Sequence, residues 1–106
     1  MLKKDLIQEK VKFITQREFD QETKEHLEKE LEKFFDLYDK KFNLDSLEEF
    51  RVEIKEMHKE GHREEFEIQA TLFTNSGDFH AKKASWNLIG TFTELVKAIR
   101  KQVWSE

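Results

Sequence analysis

The chain has 106 residues, 19 of them basic and 23 acidic, and it contains no cysteine and no proline. That length predicts one domain spanning residues 1–106, and the lack of cysteine excludes disulfides, thiol catalysis and zinc sites built on cysteine. No stretch approaches the roughly 20 apolar residues of a bilayer span, and residues 1–10 lack the apolar core of a signal peptide. We therefore expect a cytoplasmic protein with no membrane partner.

The first half of the chain predicts a strand, a helix and a second strand. Apolar residues alternate with lysines near residues 9–15, which indicates the first strand. Asp20 is a good N-cap for a helix over residues 21–42. The apolar residues of this helix recur at helical spacing, at Leu27, Leu31, Phe34, Phe35, Tyr38 and Phe42. An exit turn at 43–46 leads to a second strand with apolar side chains at Phe50, Val52 and Ile54.

The second half predicts two more strands and a closing helix. A turn is expected at residues 58–62, centred on Gly61, and another at residues 75–78. Alternating apolar positions mark the third and fourth strands, at Phe66, Ile68, Ala70, Leu72, Phe79 and Ala81. The fourth strand ends near Ser85. The last helix again carries one apolar stripe, formed by Leu88, Phe92, Leu95, Val96, Ile99 and Val103.

These elements run in the order β-α-β-β-β-α. A helix between the first two strands predicts that they pair in parallel through a right-handed crossover, and short turns predict that strands two to four form an antiparallel meander. Each strand is apolar on one face, and both helices are amphipathic. We therefore predict an α+β fold, a four-stranded mixed sheet with both helices packed on one face and the opposite face in water.

Positive charge is concentrated near the end of the sequence. Residues 80–106 carry five basic and two acidic side chains, whereas residues 45–69 carry four basic and nine acidic ones. Lys97 and Lys101 lie four residues apart on one side of the last helix, with Arg100 beside them. Two interpretations stay open, a solvated helix face whose cations favour the C-terminal dipole, or a ridge that contacts phosphates.

Catalytic and metal-binding patterns are weak. The carboxylates fall on predicted wet strand faces and helix flanks, and the sequence has no Gly-rich phosphate loop and no serine nucleophile elbow, so we expect no enzyme activity. His58 and His62 flank Gly61, which interrupts any helix that could place both imidazoles on one zinc ion. We expect two exposed histidines in a turn, with no metal and no other cofactor. His80 and Phe73 are expected on the wet face, where stacking on RNA and a purely structural role are both open.

Two segments carry a resemblance to a known family. The stretch from His80-Ala81 to Lys101-Gln102-Val103 places a His-Ala pair at a fixed distance before a basic residue, Gln and an apolar residue. The first helix shows the family's pattern of apolar residues, lysine and a closing aromatic-Asp, at Leu27, Leu31, Lys33, Phe34, Tyr38 and Asp39. In these motifs and in the order of its elements, the chain from about residue 10 to 103 resembles the ribosome hibernation promoting factor family. That family is also called ribosome-associated inhibitor or sigma-54 modulation protein.

The resemblance implies a function without catalysis. Short members of this family dock in the decoding region of the small ribosomal subunit, over the tRNA and mRNA path, and inhibit translation under stress. It implies one domain similar to a double-stranded RNA-binding domain, and a short form without the C-terminal dimerisation domain. It also implies a protein that is monomeric off the ribosome and has no small-molecule substrate. The rRNA-binding residues expected are Lys33, Lys101 and Gln102 by position and, by charge alone, Lys82, Lys83, Lys97 and Arg100.

Two departures from the family pattern keep an alternative open. Glu30 stands where the first helix of the family usually has a lysine, and Ala98 stands at another usual lysine position. Each lost cation at a phosphate contact weakens rRNA binding. With the acidic segment 45–69, these losses support the alternative of a protein-interaction module that keeps the fold but has lost rRNA binding.

Overall fold

The computed structural model describes residues 8–15, 18–61 and 63–105, with the backbone alone for residues 58, 59 and 63. The strands are β1 (Val11–Thr15), β2 (Leu47–Glu60), β3 (Arg63–Thr74) and β4 (Gly77–Ser85). The helices are α1 (Gln21–Lys41) and α2 (Leu88–Trp104), with a helical turn at residues 8–10 and a 3-10 turn at Leu44–Ser46.

The strands form a mixed sheet in the order β1-β2-β3-β4. β1 runs parallel to β2, with Val11 opposite Phe50, because α1 returns the chain to the starting end of the sheet before β2 begins. β2, β3 and β4 pair antiparallel through short turns. The predicted parallel pair, the meander and the α+β class are confirmed.

Both helices cover one face of the sheet and form the core with it. The predicted apolar stripes of α1 and α2 are buried along their whole length, except that the terminal residues Phe42 and Leu88 are half-buried. Opposite them lies the apolar face of β2 and β3, which includes the fully buried Phe50 and Ile68. Burial of each such side chain contributes about 1.5–3 kcal/mol, so the sheet and helices hold each other in place.

Side-chain caps fix where the helices begin. The Asp20 carboxylate accepts a hydrogen bond from the Thr23 backbone N–H at 2.8 Å, which satisfies one of the unpaired donors of the first turn. At the other end, Lys40 and Lys41 lie in the last turn of α1, where cations stabilise the negative end of the helix dipole. The predicted start of α1 after Asp20 is confirmed.

Removing this cap has a measurable cost. We expect Asp20→Ala to lower the free energy of unfolding by about 1 kcal/mol, because the Thr23 amide loses its acceptor. Urea denaturation followed by circular dichroism measures the change. Asp20→Asn is the control, since its amide oxygen can still accept, and it should stay close to the native value. Equal stabilities of the Ala and Asn variants would contradict the capping role.

The first strand is shorter than predicted. Residues 8–10 are helical, and the strand begins at Val11. The Lys10 ammonium donates hydrogen bonds to the backbone carbonyls of Leu44 and Leu47, so this side chain ties the start of β1 to the segment that leads into β2. Local alternation could not indicate this because the partners are more than thirty residues away.

The turn predicted at residues 58–62 is also wrong in extent. β2 continues to Glu60, which lies opposite Arg63, and His58 is paired within the sheet opposite Glu65. At the end of this hairpin, Gly61 has a φ of 59°, a value that glycine adopts without steric cost. A register shift between Glu56 and His58 breaks the alternation there, which hides the strand from a pattern of period two. The prediction about the His58 and His62 side chains lies outside the described residues.

Candidate nucleic-acid interface

A groove runs between α1 and α2 on the side of the molecule away from the sheet. Its volume is about 440 Å³. We call it the helix groove and define it by its lining residues Glu30, Lys33, Phe34, Asp36, Leu37, Thr93, Val96, Lys97 and Arg100. Three of the residues predicted to bind rRNA, Lys33 from α1 with Lys97 and Arg100 from α2, thus lie on one surface although more than sixty residues separate the two segments.

The cations of the helix groove differ in how they are neutralised. The Lys33 ammonium lies 3.7 Å from a Glu30 carboxylate oxygen, one helical turn earlier, and is largely exposed. Within the described part of the chain, Lys97 and Arg100 form no ion pair. The α2 side of the groove therefore offers two charges that are free to meet an anion.

The same groove has an apolar floor and two carboxylates. Buried Phe34 and Val96 form its base, and Leu37 lies in it with 38% of its surface exposed. Glu30 and Asp36 bring negative charge to the α1 side. Anion binding is therefore favoured along α2 and opposed along part of α1.

Helical spacing and one cap produce this arrangement. Lys33 and Leu37 are four residues apart, as are Val96 and Arg100, so each pair projects from one side of its helix. The Asn87 side chain caps α2 by accepting from the Gly90 backbone N–H at 3.0 Å, which fixes where the turns of α2 begin.

Lys101 and Gln102 lie beside the helix groove. Lys101 is exposed on α2, one turn after Lys97, and does not line the groove. The Gln102 side-chain amide donates a hydrogen bond to the His80 carbonyl of β4 at 2.8 Å. Since β4 is an edge strand of this sheet, that bond occupies an edge carbonyl and docks the end of α2 on the strand.

The structure separates Lys82 from Lys83. Neighbouring residues of a strand point to opposite faces, and Lys83 lies opposite the buried Ile68 while Lys82 lies opposite Gln69. Lys82 therefore projects from the face of the sheet that the helices do not cover, which we call the open face. It pairs there with Glu67 at 3.3 Å. Lys83 projects toward the helices and pairs with Glu94 of α2. Neither cation lines the helix groove.

The open face of the sheet holds the two side chains whose roles were left open. The Arg51 guanidinium lies over the Phe73 ring, 4.9 Å from its centroid, and Arg51 also donates to Glu49 at 2.8 Å. His80 is exposed on the same face, with its Nδ1 2.9 Å from the Thr71 hydroxyl. The Phe73 ring is thus covered by an intramolecular cation–π contact, whereas the imidazole faces solvent.

Metal sites and membrane spans were sought among the described residues. There, no cluster of three or more His, Asp or Glu side chains has a geometry suited to a metal ion. The helices of this part are too short or too polar to cross a membrane.

Comparison with known proteins decides the family. Residues 7–105 match the model of the family described as sigma 54 modulation protein / S30EA ribosomal protein. The chain belongs to this family. The resemblance found in the sequence is confirmed, and the family consists of ribosome-associated factors and is not a known enzyme family.

A solved relative shares the fold of this family member. A ribosomal subunit interface protein from Coxiella burnetii superposes with a TM-score of 0.65 at 14% identity, over 90% of this chain and 93% of that chain. At that identity the likeness shows the fold alone. No similar protein was found among curated sequences.

Some residues of the helix groove were not among those predicted. Leu37 was not singled out, although its position four residues after Lys33 places it beside that lysine on a helix. Asp36 was missed because its place at the groove depends on how α1 and α2 pack together. Glu30 was recognised as a departure from the family pattern, and its contact with Lys33 gives that departure a physical effect.

Proposed function

We propose that this family member binds the small ribosomal subunit through rRNA of the decoding region, with the helix groove as its main contact, and thereby inhibits translation under stress. One observation carries the proposal. Lys97 and Arg100, which form no ion pair among the described residues, line the same groove as Lys33. Family membership supports the ribosome as the partner and the cytoplasm as the location. The small subunit, and a monomeric state off the ribosome, are part of the proposal.

The electrostatics of the helix groove favour a phosphate as the partner of its cations, over water and the Glu30 carboxylate. Cations that meet phosphates release the counterions condensed on RNA, and Arg100 can in addition donate two parallel hydrogen bonds to one phosphate. Lys33 would exchange its Glu30 contact for a phosphate. That exchange is inexpensive because an exposed ion pair contributes only about 0–1 kcal/mol.

The other predicted residues have unequal parts in this proposal. Lys101 is exposed beside Lys97 and can extend the contact along α2. Gln102 can meet rRNA through its amide oxygen while its nitrogen stays bonded to the His80 carbonyl. Lys82 and Lys83 lie outside the helix groove, where they pair with Glu67 and Glu94, so we assign them weaker contributions.

Inhibition in this proposal follows from occupancy. A folded domain that lies over the tRNA and mRNA path excludes both ligands without any chemical step, so no cofactor or small-molecule substrate is needed. The apolar core below the helix groove keeps α1 and α2 at a fixed separation, which lets phosphate contacts from both helices form together.

Co-sedimentation with purified small subunits tests the proposal. If Lys33, Lys97, Arg100 and Lys101 all contact phosphates, affinity should fall about a hundredfold as monovalent salt rises from about 50 to about 200 mM at constant magnesium. A folded protein that stays at the top of the gradient at low salt would contradict the proposal. Binding that does not change with salt would contradict the role of the cations.

A second candidate function is a protein-interaction module that keeps the fold and has lost rRNA binding. The presence of Glu30 in the helix groove favours it, because a carboxylate beside a phosphate site repels the ligand. This candidate predicts no co-sedimentation of the pure protein with small subunits at any salt concentration.

A further inference from the structure

A second hollow lies beside the N-terminal part of α1, before the residues that line the helix groove. Its volume is about 340 Å³, and it opens between the end of β1 and the start of α1. We call it the β1 hollow and define it by its lining residues Phe13, Thr15, Glu18, Phe19, Lys24, Leu27 and Glu28.

The floor of the β1 hollow is apolar and partly open to water. Phe13 lies on the face of β1 that points toward the helices, since it is opposite the buried Val52, yet 37% of its surface is exposed. Phe19 is half-buried beside it, and Leu27 closes the base. The hollow therefore leaves apolar surface uncovered where the sheet and α1 diverge.

The mouth of the β1 hollow is acidic. Glu18 and Glu28 line it with Lys24, and in the described residues none of the three forms an ion pair. The surrounding segment, residues 18–32, carries seven acidic and two basic side chains. Unneutralised carboxylates around an apolar floor repel phosphates and attract cations. The β1 hollow is therefore suited to a cationic ligand, whereas the α2 side of the helix groove is suited to an anionic one.

We propose that the β1 hollow docks a basic protein segment that inserts one aliphatic or aromatic side chain into the hollow. The apolar floor would receive the anchor, and lysines or arginines on either side of it would meet Glu18 and Glu28. A cationic segment is the occupant that matches the mouth, whereas a nucleic acid would bring phosphates against two carboxylates. The proposal adds a protein contact and does not depend on rRNA binding at the helix groove.

The test uses the full chain, labelled with nitrogen-15, and a short synthetic peptide of lysines and arginines with one central leucine. We expect amide shifts confined to the end of β1 and the start of α1. Replacing the leucine of the peptide by serine should weaken binding about tenfold or more, because the anchor is lost. An acidic peptide with the same leucine should not bind.

Charge reversal at the mouth supplies the matched comparison. Glu18→Lys with Glu28→Lys should weaken binding of the basic peptide about tenfold. Glu25→Lys with Asp39→Lys, two exposed residues of the same helix outside the β1 hollow, changes the net charge by the same amount and should leave binding within about twofold. Circular dichroism checks that all variants are folded.

Three results would overturn the proposal. They are no binding of the basic leucine peptide to the native chain, equal binding of the serine peptide, and undiminished binding to the double variant at Glu18 and Glu28. Reversal of Lys97 and Arg100 should leave peptide binding unchanged, so failure of this proposal and failure of rRNA binding are separate outcomes.

Discussion

Reversing the two unneutralised cations of α2, Lys97→Glu with Arg100→Glu, should lower the affinity for small ribosomal subunits about a hundredfold or more at low salt. Each reversal removes one phosphate contact and adds a repulsive carboxylate in the helix groove. Both side chains are exposed, so the variant should stay folded. The measurement is co-sedimentation over a range of subunit concentrations.

A control must distinguish the effect of losing cations in the helix groove from the effect of changing the net charge of the chain. Lys12→Glu with Lys55→Glu changes the net charge of the chain by the same amount on exposed strand positions outside the groove. We expect this variant to bind within a few-fold of the native chain, because contacts on the rRNA depend on position. Equal losses in both variants would mean that only overall charge matters, and an unchanged double variant at Lys97 and Arg100 would exclude the groove as the interface.

The outcome also separates the two candidate functions. Under rRNA binding, the native chain binds the small subunit and the reversal at Lys97 and Arg100 weakens that binding about a hundredfold or more. If the chain is instead an interaction module, the native chain and the variant both fail to bind the small subunit, and both still bind the protein partner.

Helices and strands were predictable wherever one side of an element is buried along its length. The stripe from Leu27 to Tyr38 repeats with the period of a helix, and the alternation from Phe50 to Ile54 repeats with the period of a strand. The end of the β2–β3 hairpin was not predictable in this way. β1 ends opposite Ile54, and beyond it alternation is lost at the register shift near Glu56.

Of the residues that line the helix groove, the sequence singled out Lys33, Lys97 and Arg100 as rRNA-binding candidates. Helical spacing placed Lys97 and Arg100 together, and among the described residues neither forms an ion pair. The partners of Lys82 and Lys83 depend on strand register and on where α2 crosses β4, and neither can be derived from spacing along the chain. Strand alternation alone does place those two lysines on opposite faces.

Below the helix groove, one aromatic side chain joins the two helices to the sheet. Phe34 of α1 is 1% exposed. Its ring centroid lies 5.3 Å from that of Phe50 in β2 and 6.0 Å from that of Trp104 in α2. It also contacts the rings of Phe35 and Tyr38 along α1. Stacked, tilted and edge-to-face ring pairs of this kind contribute beyond the burial of their area.

Phe34→Ala should therefore lower the free energy of unfolding by about 3–5 kcal/mol, through lost burial and the cavity left between α1, α2 and β2. For a chain of this length the melting temperature should fall by about 15–30 °C. Phe13→Ala is the matched control, because it removes the same atoms from a side chain that is 37% exposed, and it should cost about 1–2 kcal/mol. Thermal and urea unfolding of both variants measure the difference. Because Phe34 also lines the helix groove, its loss should weaken binding to the small subunit even where the variant is folded, whereas Phe13→Ala should not. Equal destabilisation by the two variants would show that the junction of α1, α2 and β2 is not where the fold is held together.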